Sequence, residues 1–203
     1  NSTNSPTFGH AVVIGSSIAG LTAARVLTGH FERVTIVDRD RLPESPEHRR
    51  GLPQSRHAHT LPLRAQEMLE QQFPGLTEEL ISNGAVAING GSEMAFFIAG
   101  KWHEVRHQAS VVSLGSSRPL LDTAIFRRLL AHPKVDVIQE QEVIGLLTDS
   151  NRGRVTGVRL RSWRGLVRKE STLKANLVLD ASGRMSHALD WLASLGFTPP
   201  RQS

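Results

Sequence analysis

The chain contains no cysteine and no tyrosine, only 5% aromatic residues and no long apolar run. The absence of cysteine excludes disulfides, thiolate chemistry and cysteine-ligated metal, and it removes the usual reason to propose secretion. No stretch approaches the roughly 20 apolar residues that a membrane-spanning helix needs. The first ten residues, NSTNSPTFGH, have neither a basic n-region nor an apolar h-region, so they do not read as a signal peptide. Residues 1–9 read as a mobile polar leader. A soluble, cytoplasmic protein without a membrane span is the expectation. The shortage of aromatics also bears on charge. A net charge of +5, with arginine far exceeding lysine, would suit nucleic acid. Yet the cations are scattered in short pairs (Arg49-Arg50, Arg127-Arg128, Arg168-Lys169), and no nucleic-acid motif accompanies them. No nucleic-acid partner is expected.

With 203 residues, 39% of them hydrophobic and 21% charged, the chain is globular and long enough for one full domain plus part of another. Its most informative stretch is residues 10–40, HAVVIGSSIAGLTAARVLTGHFERVTIVDRD. Ala11 to Ile14 is a short apolar run, as in a parallel strand buried on both faces. Gly15 turns the chain, and Ile18, Leu21, Ala24 and Leu27 recur at helical spacing. A second strand, Val34 to Val37, ends at Asp38, close to the ~20-residue spacing from the turn that a dinucleotide fingerprint requires. A helix N-terminus offers N–H groups and a positive dipole end to a pyrophosphate, and the carboxylate accepts from ribose hydroxyls. One position departs from G-x-G-x-x-G: the turn reads Gly15-Ser16-Ser17-Ile18-Ala19-Gly20. Ser17 brings a Cβ where the middle glycine would stand, together with a hydroxyl able to donate to a phosphate oxygen. Taken alone, this stretch would suit a nicotinamide-dependent dehydrogenase as well.

Beyond Asp38 comes a long polar loop with Pro43, Pro46 and Pro53, a length that is often functional. An amphipathic helix is expected over 61–73 and a short one over 76–83, with Gly84 as its C′ residue. Residues 85–112 change character. Short strands over 85–89, 94–99 and 102–105 form a sheet excursion expected to belong to a substrate domain, with residues 10–84 and 113–190 making the cofactor domain. Pro119 opens another helix running to His132. Val135 to Ile138 is strand-like and could rejoin the parallel sheet. Residues 142–148, 155–161 and 166–173 read as an antiparallel meander, and 175–180 as a final strand. His57 and His59 form an H-x-H pair, but a metal site needs at least a third ligand and none is apparent, so no metal is expected. His103 and His107 are candidates for substrate contact.

Four blocks carry a family resemblance: VVIGSSIAGLTAARVL with VDRD, then RRGLPQSRHAHTL, then SSRPLLDTAIFRRLL, then LVLDASGRMS. In this order and spacing the chain resembles the FAD-dependent monooxygenases related to p-hydroxybenzoate hydroxylase and squalene epoxidase, and within them the bacterial polyether-polyketide epoxidases. The resemblance implies a Rossmann-like, glutathione-reductase-type FAD-binding domain with a β-meander and the beginning of a β-sheet substrate domain. It implies that Gly15, Ser16, Ser17, Ile18, Ala19 and Gly20 form the phosphate turn. Asp38 would hold the adenosine ribose, with Arg39 over the adenine. Arg50 would approach the ribityl-phosphate region with Gln54 in the same loop, although the sequence itself does not choose between Arg49 and Arg50. Arg118 would contact ribityl or phosphate groups, Val143 would give backbone contacts to adenine, and Asp180 would order the turn beside the pyrophosphate.

In that family the flavin carries the difficult chemistry: one oxygen atom from O2 passes, through a flavin hydroperoxide, into an electron-rich organic substrate. NAD(P)H is the expected electron source, directly or through a reductase. An alkene needs no deprotonation before epoxidation, whereas a phenol reacts better once ionised. The absence of tyrosine rules out a tyrosine relay from this chain and tilts the reading toward alkene epoxidation. No side chain is assigned to catalysis. Another flavin-dependent oxidoreductase, a halogenase, or a flavin-binding fragment without catalysis of its own are the competing readings. Trp191 to Pro200 resembles the connection into the family's substrate sheet, and the family's later G-D motif has no counterpart here. The chain therefore reads as an N-terminal portion, to be completed by a missing C-terminal half or a second polypeptide. Until then Phe96, Phe97 and Ile98 would face water.

Overall fold

The computed structural model describes residues 8–49, 53–104, 112–151, 153–164 and 167–198. Residues 1–7 of the leader, Arg50, Val105, His107, the turn at Gly165-Leu166, and Pro199 onward lie outside the described residues. The chain divides into two compact units, one made of residues 1–42 and 129–203, the other of residues 43–128.

The first unit is built on a four-stranded parallel sheet. Its strands are β1 (Phe8–Ile14), β2 (Phe31–Val37), β8 (Val135–Ile138) and β12 (Leu177–Asp180), in the order β12-β1-β2-β8. Ala11, Val12 and Val13 are wholly buried, as are Val34 and Ile36, which explains why these strands read as unbroken apolar runs rather than alternating ones. Helix α1 (Ile18–Leu27) connects β1 to β2 and packs on both, burying Gly20, Leu21 and Ala24. The meander of β9 (Gln141–Thr148), β10 (Val155–Arg164) and β11 (Val167–Lys174) is antiparallel, in the order β11-β10-β9. Val12 and Ile14, two residues apart and so on one face of β1, share a core with Val37 and with Val143, Val158, Leu160 and Ala175 of the meander region. Trp191 of the short helix α5 (Ala188–Ser194) packs against the same core.

His10 fastens the unit across its layers. Its Nδ1 lies 2.8 Å from the Lys174 carbonyl oxygen and its Nε2 2.8 Å from the Thr35 hydroxyl. The carbonyl can only accept, so Nδ1 carries the proton and Nε2 receives the threonine O–H. Burial holds the His10 imidazole below its ordinary pKa, with the Lys174 carbonyl acting in the opposite sense.

The second unit contains a three-stranded antiparallel sheet of β3 (Ala58–Leu61), β7 (Val112–Ser117) and β4 (Val86–Asn89), with β7 in the middle. Helices α2 (Leu63–Gln72) and α3 (Leu76–Ser82) accompany it, and α4 (Arg118–Leu130) follows β7 directly. Two of these strands differ from expectation. Residues 58–60, expected as loop, and Leu61, expected to open the helix, form a strand; Pro62 has no N–H to continue a ladder and serves as the N-cap of α2, which starts at Leu63. Strand β7 carries Gly115, Ser116 and Ser117, residues poor in strand propensity, and is fixed by pairing on both sides. The remaining strands, β5 (Ala95–Ile98) and β6 (Lys101–Glu104), pair with each other as a hairpin. Ala99 and Gly100 both have positive φ, the two-residue turn that matches strand twist. Phe97, Ile98 and Trp102 are at least 59% exposed on this hairpin.

Candidate functional site

In the first unit, β1, β2 and β12 end side by side, with Ile14 opposite both Val37 and Asp180. The chain direction reverses its lateral progress here: β2 lies on one side of β1 and β12 on the other. In an open parallel sheet, ligands bind outside the carboxyl ends of strands at such a switch point. The loops that leave these three strands, at Gly15, Asp38 and Ala181, therefore form the candidate site.

Gly15 leaves β1 with φ +94° and donates its N–H to the Val37 carbonyl at 2.8 Å. A Cβ there would lie 2.9 Å from the Ala181 carbonyl oxygen, so conformation and space both require glycine. Gly20 is needed for a different reason. A Cβ on it would lie 2.0 Å from the Gly15 carbonyl oxygen, which shows how closely the first turn of α1 approaches the loop. Ser17, the N-cap of α1, has φ −80° and ψ 176°, extended backbone that any residue adopts. The departure from glycine therefore strains nothing, and its side chain makes no capping bond to the helix. Ile18 and Ala19 complete the first turn, which holds no acidic residue to compete with an anion. The first N–H groups of a helix have no intrahelical partner and sit at its positive end.

Asp38, 7% exposed, is tied to this turn. Its Oδ2 accepts from the Ser16 N–H at 2.8 Å and also from the Ser16 hydroxyl, while its Oδ1 accepts from the Asp40 N–H at 2.9 Å. Asp180 organises the third loop: Oδ1 accepts from the N–H and hydroxyl of Ser182 at 2.9 and 2.5 Å, and Oδ2 from the Ser186 hydroxyl at 2.6 Å. Arg39 is exposed beside Asp38. Val143 puts its side chain in the core, while its backbone runs along β9 opposite Leu160. Thus the structure brings Gly15 to Gly20, Asp38 and Asp180 to one edge of one sheet, an arrangement that fits an adenosine diphosphate moiety: backbone donors for the phosphates and a fixed carboxylate for the ribose.

The other expected residues lie in the second unit. Gln54 is exposed on a single helical turn, where its carbonyl accepts from the His57 N–H at 3.1 Å. Arg118 opens α4, 8% exposed, with its Nε donating to Asp122 Oδ1 at 2.8 Å. Its Nη1 lies 3.3 Å from Nε2 of His59, whose Nδ1 is 2.9 Å from the His57 carbonyl oxygen. Burial pushes the Asp122 carboxyl above its ordinary pKa, more than Arg118, Arg49 and His59 together draw it down. Arg50 lies outside the described residues. His103 is exposed on β6.

Sequence reasoning missed three contributors. Asp122 stands four residues after Arg118, a helical ion-pair spacing that could have revealed it. Ser182 and Ser186 follow Asp180 at spacings suited to a local side-chain turn. The Ser16–Asp38 bond joins residues from two separate loops and had no local signal.

The parallel sheet with its glycine turn, covered by the meander, defines a Rossmann-like FAD-binding fold. No protein-family model matches the chain. Among solved structures, the chain is similar to the myxobacterial chondrochloren halogenase CndH, an FAD-dependent halogenase, with 26% identity and a TM-score of 0.65 over 90% of this chain and 39% of that one. It shares its fold with PqsL of Pseudomonas aeruginosa, described as a probable FAD-dependent monooxygenase, at 18% identity and a TM-score of 0.62 over 96% of this chain and 48% of that one. In sequence it is 34% identical over 209 residues to protein Rv3254 of Mycobacterium tuberculosis, covering 95% of this chain and 42% of that protein. The chain thus spans less than half the length of each of these proteins. Among the described residues, no helix is long and apolar enough to cross a membrane.

Proposed function

We propose that this chain is the FAD-binding part of a flavin-dependent monooxygenase that acts on a hydrophobic, electron-rich small molecule. The observation that carries this reading is the shared strand edge where Asp38 and the Gly15–Gly20 turn stand together, joined to the 26% likeness to an FAD-dependent halogenase. FAD, when bound, supplies the activation of dioxygen and the transfer of one oxygen atom. This chain's residues bind and orient it. The first turn of α1 takes the pyrophosphate, Asp38 takes the adenosine ribose, and Asp180 holds the neighbouring loop in shape. Arg39, Arg50, Gln54, Arg118 and Val143 keep the roles that the family resemblance implies. NAD(P)H supplies the electrons, directly or through a reductase.

The finer reading is alkene epoxidation, as in polyketide biosynthesis by the polyether epoxidases that the sequence resembles, and the absence of tyrosine supports it. The likeness to CndH favours a second reading, halogenation, which differs in requiring halide for product formation. We also propose that further polypeptide, a C-terminal half or a second chain, completes the enzyme and covers the β5–β6 hairpin, and that this chain alone is catalytically incompetent. The exposure of Phe97, Ile98 and Trp102 supports that reading.

Titration of the purified 203-residue chain with FAD, followed by flavin absorption and fluorescence, tests the cofactor. Saturable binding that is lost in Asp38→Ala is expected. Binding of NAD(H) without any flavin would overturn the monooxygenase reading. Native mass spectrometry tests the completing partner, and a monodisperse, stable monomer that turns over substrate unaided would overturn it.

A further inference from the structure

We propose that Ser16 is the positioning residue for Asp38, fixing the carboxylate in the orientation in which it receives the adenosine ribose. This inference rests on the adenosine-diphosphate reading of the site given above. A carboxylate at the end of a strand can turn about its side-chain torsions, and the terminal one is broad, so its direction must be set by its partners. Here both oxygens are held. Ser16 donates to Oδ2 twice, through its N–H at 2.8 Å and through its hydroxyl, while the Asp40 N–H holds Oδ1 at 2.9 Å. Ser16 is only 2% exposed and Asp38 only 7%, so the contact is shielded from water. Hydrogen bonds to a charged acceptor in such surroundings are the strong ones.

The bond also joins two loops that the ligand must meet together. Ser16 follows Gly15 in the phosphate turn, and Asp38 follows β2. The hydroxyl therefore couples the position of the pyrophosphate donors to that of the ribose acceptor. An alanine at residue 16 would keep the two backbone N–H bonds and lose the hydroxyl bond, loosening the hold on Oδ2 and widening the range over which the carboxylate can turn.

The test is a pair of ligands measured on a pair of proteins by calorimetry: ADP and 2′,3′-dideoxy-ADP, on the 203-residue chain and on Ser16→Ala. The expected result is an about tenfold loss of ADP affinity, the size of one hydrogen bond to a charged group. Dideoxy-ADP, which has no ribose hydroxyl for Asp38, should change by less than about twofold on the same scale. Ser16→Thr, which keeps the hydroxyl, should restore the preference for ADP. Ser16→Cys, close in size and a weaker donor, covers the case in which the alanine variant does not fold. Equal losses for both ligands, or no loss for either, would overturn the positioning role, because a merely structural serine would move both together. Failure of the unaltered chain to bind ADP at all would instead overturn the nucleotide reading, and this inference with it.

Discussion

Replacing Gly20 by alanine tests whether helix and phosphate turn truly meet as closely as the structure has them. The added Cβ would lie 2.0 Å from the Gly15 carbonyl oxygen and 3.0 Å from its carbon, where ordinary contact begins at 3.4 Å. The obstacle is backbone, so no side chain can swing away to relieve it. Either α1 moves off the turn by more than an ångström or the Gly15–Ser16 peptide rotates, and the latter would disturb the Ser16 N–H bond to Asp38. Overpacking of this kind costs about 1–3 kcal/mol, and a contact this short belongs at the upper end. Against it stands the helical preference of alanine over glycine, about 1 kcal/mol. The steric term wins, leaving a net destabilisation of about 2 kcal/mol, or a drop in Tm of about 4–8 °C for a chain of this size.

Thermal unfolding followed by circular dichroism measures the shift, with Gly153→Ala as the control, since a Cβ there meets nothing within 4 Å. Hydrogen exchange would localise the damage to the amides of β1 and the first turn of α1. Affinity for ADP should fall in parallel, because the displaced atoms are those proposed to face the pyrophosphate. A Gly20→Ala protein as stable as the parent, with ADP affinity unchanged, would refute the close approach and with it the reason for glycine at this place.

Acid should weaken the fold through His10 and His132, both held below their ordinary pKa chiefly by burial. The unfolded chain takes up these protons first, so their contribution is complete above about pH 6.5 and is lost as pH falls toward the lowered folded values. His10→Gln should flatten part of that slope in urea unfolding measured from pH 8 to pH 5, and an unchanged slope would refute the assignment. Asp122 works in the opposite sense. Its folded pKa is raised, so the folded state keeps the proton longer, and its contribution is present below about pH 3.9 and lost as pH rises through the raised value. Asp122→Asn should therefore gain on the parent as pH rises through that window. Asp122→Ala, which leaves the guanidinium of Arg118 buried without its Nε acceptor, should cost about 3 kcal/mol in urea unfolding, and an unchanged midpoint would refute the pairing. Asp180→Ala removes the acceptor of three bonds and should speed hydrogen exchange at the Ser182 amide. Unchanged protection there would refute its part in the loop.

What was legible in the sequence depends on the range over which each interaction acts. β1, α1, β2 and β8 could be read because an apolar run or a helical stripe is written in consecutive residues, and burial on two faces leaves an unmistakable pattern. Gly84 at the end of α3 was legible for the same local reason, a backbone conformation that selects its residue, whereas the hairpin turn was legible only to within one residue: Ala99, expected in a strand, turns together with Gly100, and Lys101 begins the next strand. β7 was not legible. Gly115, Ser116 and Ser117 have no strand preference, and only the neighbours β3 and β4, distant in sequence, make them a strand. β3 was hidden in a polar loop because its burial is partial. The site divides along the same line. The glycine turn and Asp38 form a spaced motif, whereas the bond that holds them to each other, Ser16 to Asp38, is a fact of three dimensions.

The serine at residue 17 shows how a departure from a motif should be weighed. A fingerprint glycine can be required by conformation, by close packing or by access of the ligand, and these reasons are separable. At residue 15 the left-handed φ and the nearby Ala181 carbonyl both demand glycine, and at residue 20 the packing does. At residue 17 the backbone is extended, so neither reason applies, and only access for the phosphate remains. A hydroxyl at a helix N-cap is itself a phosphate donor, and this one is not engaged in capping the helix. Substituting glycine at residue 17 should therefore leave the fold nearly unchanged in Tm while weakening ADP binding by about tenfold, the loss of one donor to a charged oxygen. Tighter binding in Ser17→Gly would mean that the Cβ obstructs the phosphate, and that this turn is an impaired version of the motif and not an alternative solution to it.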